Sequence, residues 1–377
     1  MDTIPYLSIR KIMNKEDVMK KILDVNIESF TPMVSPEILV SELPLTENTG
    51  WTVAESREII KKILAKKDKR LLVITGPCSI HDETAALDYA KRLKRLKKEV
   101  EENIFLVMRV YFEKPRTNIG WKGMINDPWL DGSCDIVSGL RKARGLLLKI
   151  TEMGLPTATE MLDPITPQYI ADLICWSAIG ARTTESQTHR EMVSGLSMPV
   201  GLKNGTDGDL MVAINGIMAA GSPQQFIGID SRGRTSIVKT RGNPWTHLVL
   251  RGGNRPNYDS VSINQALSLL RENGLHETLM VDCSHANSGK DYRMQPTVWQ
   301  DVINQRMDGN RAITGMMLES NLFEGSQVNS GDPSTLEYGV SITDACISWE
   351  TTEKIIRSAC LHMEKGADGP ARYRCGD

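Results

Sequence analysis

The sequence predicts a (β/α)8 barrel, the TIM-barrel architecture, with an N-terminal extension and an inserted β-hairpin. Three observations carry that expectation. Eight short β-rich runs recur from residue 71 onward, amphipathic helical stretches separate most of them, and each run is followed at once by a polar functional group. In such a barrel the loops after the C-terminal strand ends converge, so those groups belong to one mouth.

Taken in order, the first run, Leu71-Leu72-Val73-Ile74, leads into Gly76-Pro77-Cys78-Ser79. Ala86, Ala90, Leu93, Leu96 and Val100 then fall three or four apart on one helical face. The second run, Phe105-Leu106-Val107-Met108, ends in Arg109, and the third, Pro156-Thr157-Ala158-Thr159, in Glu160. The long segment 111–155 between them holds the charged loop Glu113-Lys114-Pro115-Arg116-Thr117. The fourth run, Ser177-Ala178-Ile179, leads to Gly180-Ala181-Arg182, and the fifth, Pro199-Val200-Gly201-Leu202, to Lys203. Segment 204–245 contains a helix and then Phe226 to Thr240, whose alternation around Ser231-Arg232-Gly233 reads as a hairpin. The sixth run, His247-Leu248-Val249-Leu250, ends in Arg251-Gly252-Gly253. The seventh, Leu279-Met280-Val281, ends in Asp282-Cys283-Ser284-His285, and the eighth, Ile313 to Met317, in Glu319-Ser320-Asn321. Residues 1–70 include a helix over Ala54 to Lys66 and are too few for an independent core; they read as an arm that wraps the barrel or a neighbouring subunit. The barrel is expected over 71–365, the hairpin near 226–240, and a mobile Gly-, Pro- and charge-rich tail over 366–377.

Composition narrows the function. With 377 residues, 40% hydrophobic and 24% charged, the chain is globular rather than disordered. Its 45 Lys and Arg against 47 Asp and Glu leave no electrostatic reason to expect a nucleic acid or an acidic membrane as partner. No apolar stretch approaches the roughly 20 residues that span a bilayer. The N-terminus lacks the continuous apolar core of a signal peptide, which places the chain in the cytoplasm. Seven cysteines, scattered without a C-x-x-C pair, argue against a disulfide framework and an all-cysteine zinc module. No phosphate-binding glycine motif lies between a strand and a helix. The basic run Lys91 to Lys98 is followed by Glu99, Glu101 and Glu102, and reads as a solvated helix face with Lys97–Glu101 and Lys98–Glu102 at i,i+4. His81, His247, His276 and His362 have no evident partner and read as structural, while His189, just after Arg182, could reach the mouth or be structural like them.

Two clusters remain. Arg109, Lys114, Arg116, Arg182, Lys203 and Arg251 bring cations to one mouth of an otherwise neutral protein, the pattern for a small phosphorylated or carboxylated anion. Cys78, His285 and Glu319, with Asp344 as a further acid, combine sulfur, imidazole and carboxylate, a mixed-softness donor set for a divalent first-row metal such as Mn, Fe, Co or Zn.

These residues, in this order, resemble the class I 3-deoxy-D-arabino-heptulosonate 7-phosphate (DAHP) synthases, the first enzymes of the shikimate pathway. The resemblance rests on Gly76-Pro77-Cys78-Ser79, Lys114-Pro115-Arg116-Thr117, Gly180-Ala181-Arg182-Thr183-Thr184-Glu185-Ser186, Leu202 to Gly208, Leu250-Arg251-Gly252-Gly253 and Asp282 to Asn287. The first 30 or so residues and the final dozen carry no such motif. The resemblance implies that phosphoenolpyruvate (PEP) is held by Arg109 and Lys203 at its carboxylate and by Arg182 and Arg251 at its phosphate, with Glu160 shaping the pocket. It implies erythrose 4-phosphate on Lys114, Pro115, Arg116 and Thr117, and one divalent metal on Cys78, His285, Glu319 and Asp344; Lys114, close to both substrates, is then the candidate proton donor to the nascent alkoxide, the alternative being that it only neutralises charge. It further implies feedback by an aromatic amino acid at Gln168, Ser197, Phe226 and Gly228, and a homodimer or homotetramer. Glycine at position 228, with Gly339-Val340-Ser341 and Ile347-Ser348-Trp349, looks like the tyrosine-sensitive type. Two alternatives stand beside this reading: a 3-deoxy-octulosonate 8-phosphate synthase, whose loop differs at the positions of Pro115 and Thr117, and a catalytically silent barrel that senses an aromatic amino acid.

Overall fold

The structure, a computed structural model, describes Met19 and residues 22–367. Eight parallel strands close into a barrel: β1 (Leu71–Gly76), β2 (Ile104–Arg109), β3 (Thr157–Glu160), β4 (Trp176–Ile179), β5 (Val200–Lys203) and, after an antiparallel hairpin of β6 (Gln225–Ile229) and β7 (Thr235–Lys239), β8 (Thr246–Leu250), β9 (Leu279–Asp282) and β10 (Ile313–Glu319). β10 pairs back onto β1, which completes the (β/α)8 architecture.

The strands read as near-continuous apolar runs because both faces are covered, and every residue of β1, β2 and β10 is buried. Alternate side chains, among them Leu72, Ile74, Phe105, Val107, Trp176, Ala178, Val249, Met280 and Met317, form one cluster inside the barrel. Trp176 dominates it, and β5 makes room with Gly201, where a Cβ would stand 2.5 Å from the Trp176 ring. The indole N–H donates to His247 Nε2 at 3.1 Å. Burial pushes His247 down to about 4, so it is a neutral, structural acceptor.

The arm's main helix spans Glu47–Leu64, beginning seven residues earlier than the predicted Ala54. Its start is set by Thr46, whose side chain accepts from the Thr49 N–H, and Lys66 just beyond its end has φ 58. Val53, Ile60, Ile63 and Leu64 join the same cluster as Leu72 and Phe105, so this helix stoppers the amino-terminal end of the barrel. A shorter helix, Pro36–Glu42, starts where the Glu37 N–H donates to Ser231 O at the hairpin tip (2.7 Å). Buried Arg144 then links Leu43 O to Asp172, which it grips with both terminal nitrogens at 2.7 and 2.8 Å. Met1–Val34 form a unit of their own, in which residues 22–26 turn and Ile22, Leu23, Val25 and Phe30 are exposed. Residues 1–18, 20 and 21 of that stretch lie outside the described residues. At the other end a helix runs Trp349–Ala367, two residues into the expected tail, and 368–377 lie outside the described residues.

One expectation on the basic helix changes. The helix Glu83–Val100 stops short of Glu101 and Glu102, so the i,i+4 pairs to Lys97 and Lys98 do not form along it. The ion pairs described on this helix are instead Lys91–Asp88, Glu83 with Lys142 and Lys149, and a link from Glu99 to Arg357. The six described cysteines are all free thiols.

Candidate active site

A cavity of about 510 Å³ opens at the carboxyl ends of the barrel strands. It gathers all six cations picked out in the sequence: Arg109, Lys114, Arg116, Arg182, Lys203 and Arg251. Pro115, Thr117, Glu160, His285, Glu319 and Asp344 line it as well, and Cys78 sits fully buried behind Lys114. The strand order makes this possible, because β9, β10 and β1 are neighbours and bring His285, Glu319 and Cys78 to one side.

The cations fall into two kinds. Arg116, Arg182 and Arg251 form no ion pair among the described residues, and Arg182 and Arg251 lie near enough to affect one another. Burial lowers the Arg251 guanidinium, Asp282 opposes that shift and Arg182 adds to it. Two guanidiniums that repel one another in a cavity are a ready site for a doubly charged anion. The other kind is already paired. Arg109, 1% exposed, donates to Pro77 O, Cys78 O and Glu319 Oε1 at 3.0, 3.1 and 2.8 Å, over the face of the Tyr111 ring. Lys203 donates to Asp282 Oδ2 at 2.7 Å.

Cys78 Sγ and carboxylate oxygens of Glu319 and Asp344 lie within 4.8 Å of one another. Lys114 Nζ approaches this group, 3.0 Å from Cys78 Sγ and 3.7 Å from Asp344 Oδ2. His285 flanks it, with Nε2 3.9 Å from Glu319 Oε1. Its backbone is in the left-handed region, φ 58, a strained conformation for a residue with a side chain. Burial and the Glu319 charge push the Cys78 thiol up to about 12, with Lys114 pulling the other way. Burial would lower Lys114, but Cys78, Glu319 and Asp344 outweigh it and hold the amine firmly protonated. Sulfur with two carboxylates, imidazole adjacent, fits a divalent first-row ion.

Several supporting residues carried no role in the sequence reading. Gln295 holds Glu319 from both sides, donating to its carbonyl at 3.0 Å and accepting from its N–H at 2.9 Å. Asn204 ties the loop after β5 to that after β8, accepting from the Arg251 N–H and donating to Gly252 O. Asn287 does the same between the loops after β8 and β9. Asparagine inside a loop motif was the only available signal. Glu160 Oε1 is buried without a hydrogen-bond partner, and Gly180 lets it sit so close: a Cβ there would be 2.2 Å away. His189 is not part of the mouth. Its ring nitrogens engage Ser186 Oγ and Leu162 O at 2.9 and 2.7 Å, tying the loops after β3 and β4 together.

A family model described as the DAHP synthetase I family matches residues 43–357. The chain belongs to that family. It is 53% identical over 349 residues to the Tyr-sensitive phospho-2-dehydro-3-deoxyheptonate aldolase of Escherichia coli (strain K12), covering 93% of this chain and 98% of the relative. Against the Phe-sensitive enzyme of the same strain it is 52% identical over 335 residues, covering 89% and 95%. Among solved structures it resembles the phospho-2-dehydro-3-deoxyheptonate aldolase of Francisella tularensis SCHU S4, with TM-score 0.88 and 45% identity over 90% of this chain and 99% of that one.

In this member of the family, Phe226 and Gly228 share the half-buried face of β6, opposite Val238 and Ser236 of β7, while Ile227 between them is exposed. Ser197 is exposed just after the helix Gln187–Gly195, whose Ser194 bonds Thr240 at the hairpin base (2.7 Å). Gln168 is exposed on the short helix Pro167–Ile170. Two residues earlier, Thr166 Oγ1 donates to buried Glu113 Oε1 at 3.4 Å.

Glu113 adjoins Lys114 and makes a pH test. Burial, then the Asp163 charge, push its carboxyl up to about 8, from the usual value near 4.5. Between those values the unfolded chain gives up the proton that the folded chain keeps, so stability declines as pH rises from 4.5 to 8, by up to about 3–5 kcal/mol. Denaturant unfolding at pH 5, 7 and 8 is expected to show Glu113→Gln flattening that decline; parallel pH profiles for the variant and the parent would refute the assignment.

Proposed function

We propose a division of labour at this mouth for the condensation that defines the family, PEP plus D-erythrose 4-phosphate plus water giving DAHP and phosphate. The observation that carries it is one cavity that holds the six cations named above, and Lys290 as a seventh, beside the Cys78, Glu319 and Asp344 cluster. PEP brings several negative charges, so Arg182 and Arg251, free of carboxylate partners, take its phosphate, and Arg109 and Lys203 its carboxylate. Glu160 shapes the pocket around it. Lys114, Pro115, Arg116 and Thr117 hold erythrose 4-phosphate, whose anionic end meets the exposed Arg116. Cys78, His285, Glu319 and Asp344 hold one divalent ion, Mn2+, Fe2+, Co2+ or Zn2+. When bound, such an ion supplies the Lewis acidity that makes the aldehyde electrophilic.

The residues then orient C3 of PEP toward the aldehyde carbon. A carbon–carbon bond forms, water adds at C2, and phosphate leaves by C–O cleavage. Lys114, protonated and beside the cluster, donates the proton to the nascent alkoxide. The chain works as a homodimer or homotetramer, a reading supported by the exposed Ile227, Ile237 and Trp51, which are 80%, 69% and 67% accessible.

Feedback is by tyrosine, bound at Gln168, Ser197, Phe226 and Gly228. A Cβ at Gly228 would stand 2.9 Å from Val238 Cγ2, so a larger residue there pushes into the hairpin. Gly228→Ser is expected to weaken tyrosine inhibition relative to phenylalanine by about 1–3 kcal/mol, read from inhibition constants in parallel. Unchanged selectivity would remove Gly228 from the effector site.

The deciding experiment is phosphate release from PEP with erythrose 4-phosphate and, separately, arabinose 5-phosphate, after EDTA and again after Mn2+, each with Phe, Tyr or Trp added. Metal-dependent release with the four-carbon aldehyde alone is expected. Release with the five-carbon aldehyde would favour octulosonate chemistry, and none with either would favour the sensor.

A further inference from the structure

Asp282 is buried at the end of β9, 1% exposed, and each of its carboxylate oxygens is committed. Oδ1 accepts from the Ser284 N–H and from Ser284 Oγ at 3.0 and 2.6 Å. Oδ2 is shared: Lys203 Nζ donates to it at 2.7 Å and His285 Nδ1 lies 2.9 Å away. Ser284 Oγ also touches His285 Nδ1, at 2.7 Å. One carboxylate oxygen thus joins a cation assigned to the PEP carboxylate and an imidazole assigned to the metal.

We infer that Asp282 is the positioning residue that couples the metal site to the PEP site. The inference rests on the reading of the two sites given above. With Nδ1 held by a carboxylate, the His285 ring is fixed in orientation and presents Nε2 toward Glu319. Lys203 draws on the same oxygen. When the PEP carboxylate engages Lys203, Oδ2 is left to His285 and the imidazole is held more firmly in its ligating orientation. Metal affinity therefore rises when PEP binds, and by linkage PEP affinity rises by the same factor when metal binds. Arg109 repeats the pattern across the cavity, bridging Glu319 to the site of the same PEP carboxylate.

The test is calorimetric titration of EDTA-treated full-length protein with Mn2+, in the absence and presence of PEP, for the parent, Asp282→Asn and Ser284→Ala. Asp282→Asn is expected to weaken Mn2+ binding by about 10–100-fold without substrate. It should also reduce the PEP-induced gain in Mn2+ affinity at least about threefold. At saturating Mn2+, its KM for PEP should rise more than its kcat falls, a split that loss of folded protein alone does not produce. Ser284→Ala keeps both charges and removes only the orienting hydroxyl, so a smaller change in the same direction is expected; it decides the matter if circular dichroism shows Asp282→Asn unfolded. Parent-like Mn2+ affinity, or an undiminished PEP effect, in folded Asp282→Asn overturns the coupling. A parent protein that binds neither Mn2+ nor PEP overturns the site reading itself, which is a distinguishable result.

Discussion

Cys78→Ala is expected to abolish turnover, lowering phosphate release by about 10³-fold or more, while tyrosine binding is retained. The magnitude follows from losing several kcal/mol of charge stabilisation at the developing alkoxide when the ion can no longer be held. The structure makes Cys78 hard to replace. Its sulfur is fully buried, it supplies the soft donor of the group with Glu319 and Asp344, and it also contacts Lys114 Nζ at 3.0 Å. Because burial and Glu319 hold the thiol high, at about 12, the ion has to displace a proton to bind, and uptake of Mn2+ by the metal-free protein should release acid. The residues proposed for the effector lie on β6 and on segments after β3 and β4, away from the loop after β1 that carries Cys78. The check is metal content, phosphate release and tyrosine calorimetry on one preparation. Unchanged turnover would sink the metal assignment.

Lys114→Ala is expected to lower kcat by about 10²–10⁴-fold, the range for a lost general acid, with a smaller change in KM for PEP. Lys114 is 8% exposed and stands between Cys78 and Asp344, so two functions are open to its ammonium: neutralising the cluster or delivering a proton. Lys114→Arg separates them. A guanidinium keeps the charge but does not give up its proton near neutral pH. If Lys114 is the proton donor, both variants lose kcat to a similar extent. Recovery of kcat in Lys114→Arg would leave it only the electrostatic function.

Much of this site was legible in the sequence because a (β/α)8 barrel converts chain order into position. Arg109, Glu160, Lys203 and Arg251 stand at strand ends in the sequence and at one mouth in space, since parallel strands point their carboxyl ends the same way. Cys78 and Glu319, 241 residues apart in sequence, meet because β1 and β10 are the closing pair. His189 misled for a related reason. It follows a strand by only a few residues, as Arg182 does, but sits on a helix whose rotation turns its ring to Leu162 O.

Other features belonged to the third dimension. The arm's helix was expected to start at Ala54; it starts at Glu47, where the cap at Thr46 is visible only once its side chain is seen to accept from the Thr49 N–H. The division between paired cations, Arg109 and Lys203, and unpaired ones, Arg182 and Arg251, depends on side-chain contacts with Glu319 and Asp282 that lie 210 and 79 residues away.

By itself the sequence determined the barrel, the family and the inventory of charged and ligating groups at the mouth. Hydrophobic period and strand-end chemistry are local, and a closed parallel sheet leaves them one arrangement. Only the tertiary structure decided who shares a partner with whom: that Asp282 serves Lys203 and His285 at once, that Gln295 clasps Glu319, and that Glu113 is dry enough to keep its proton. Those outcomes depend on separations of a few ångströms and on exclusion of water, which residue order does not encode.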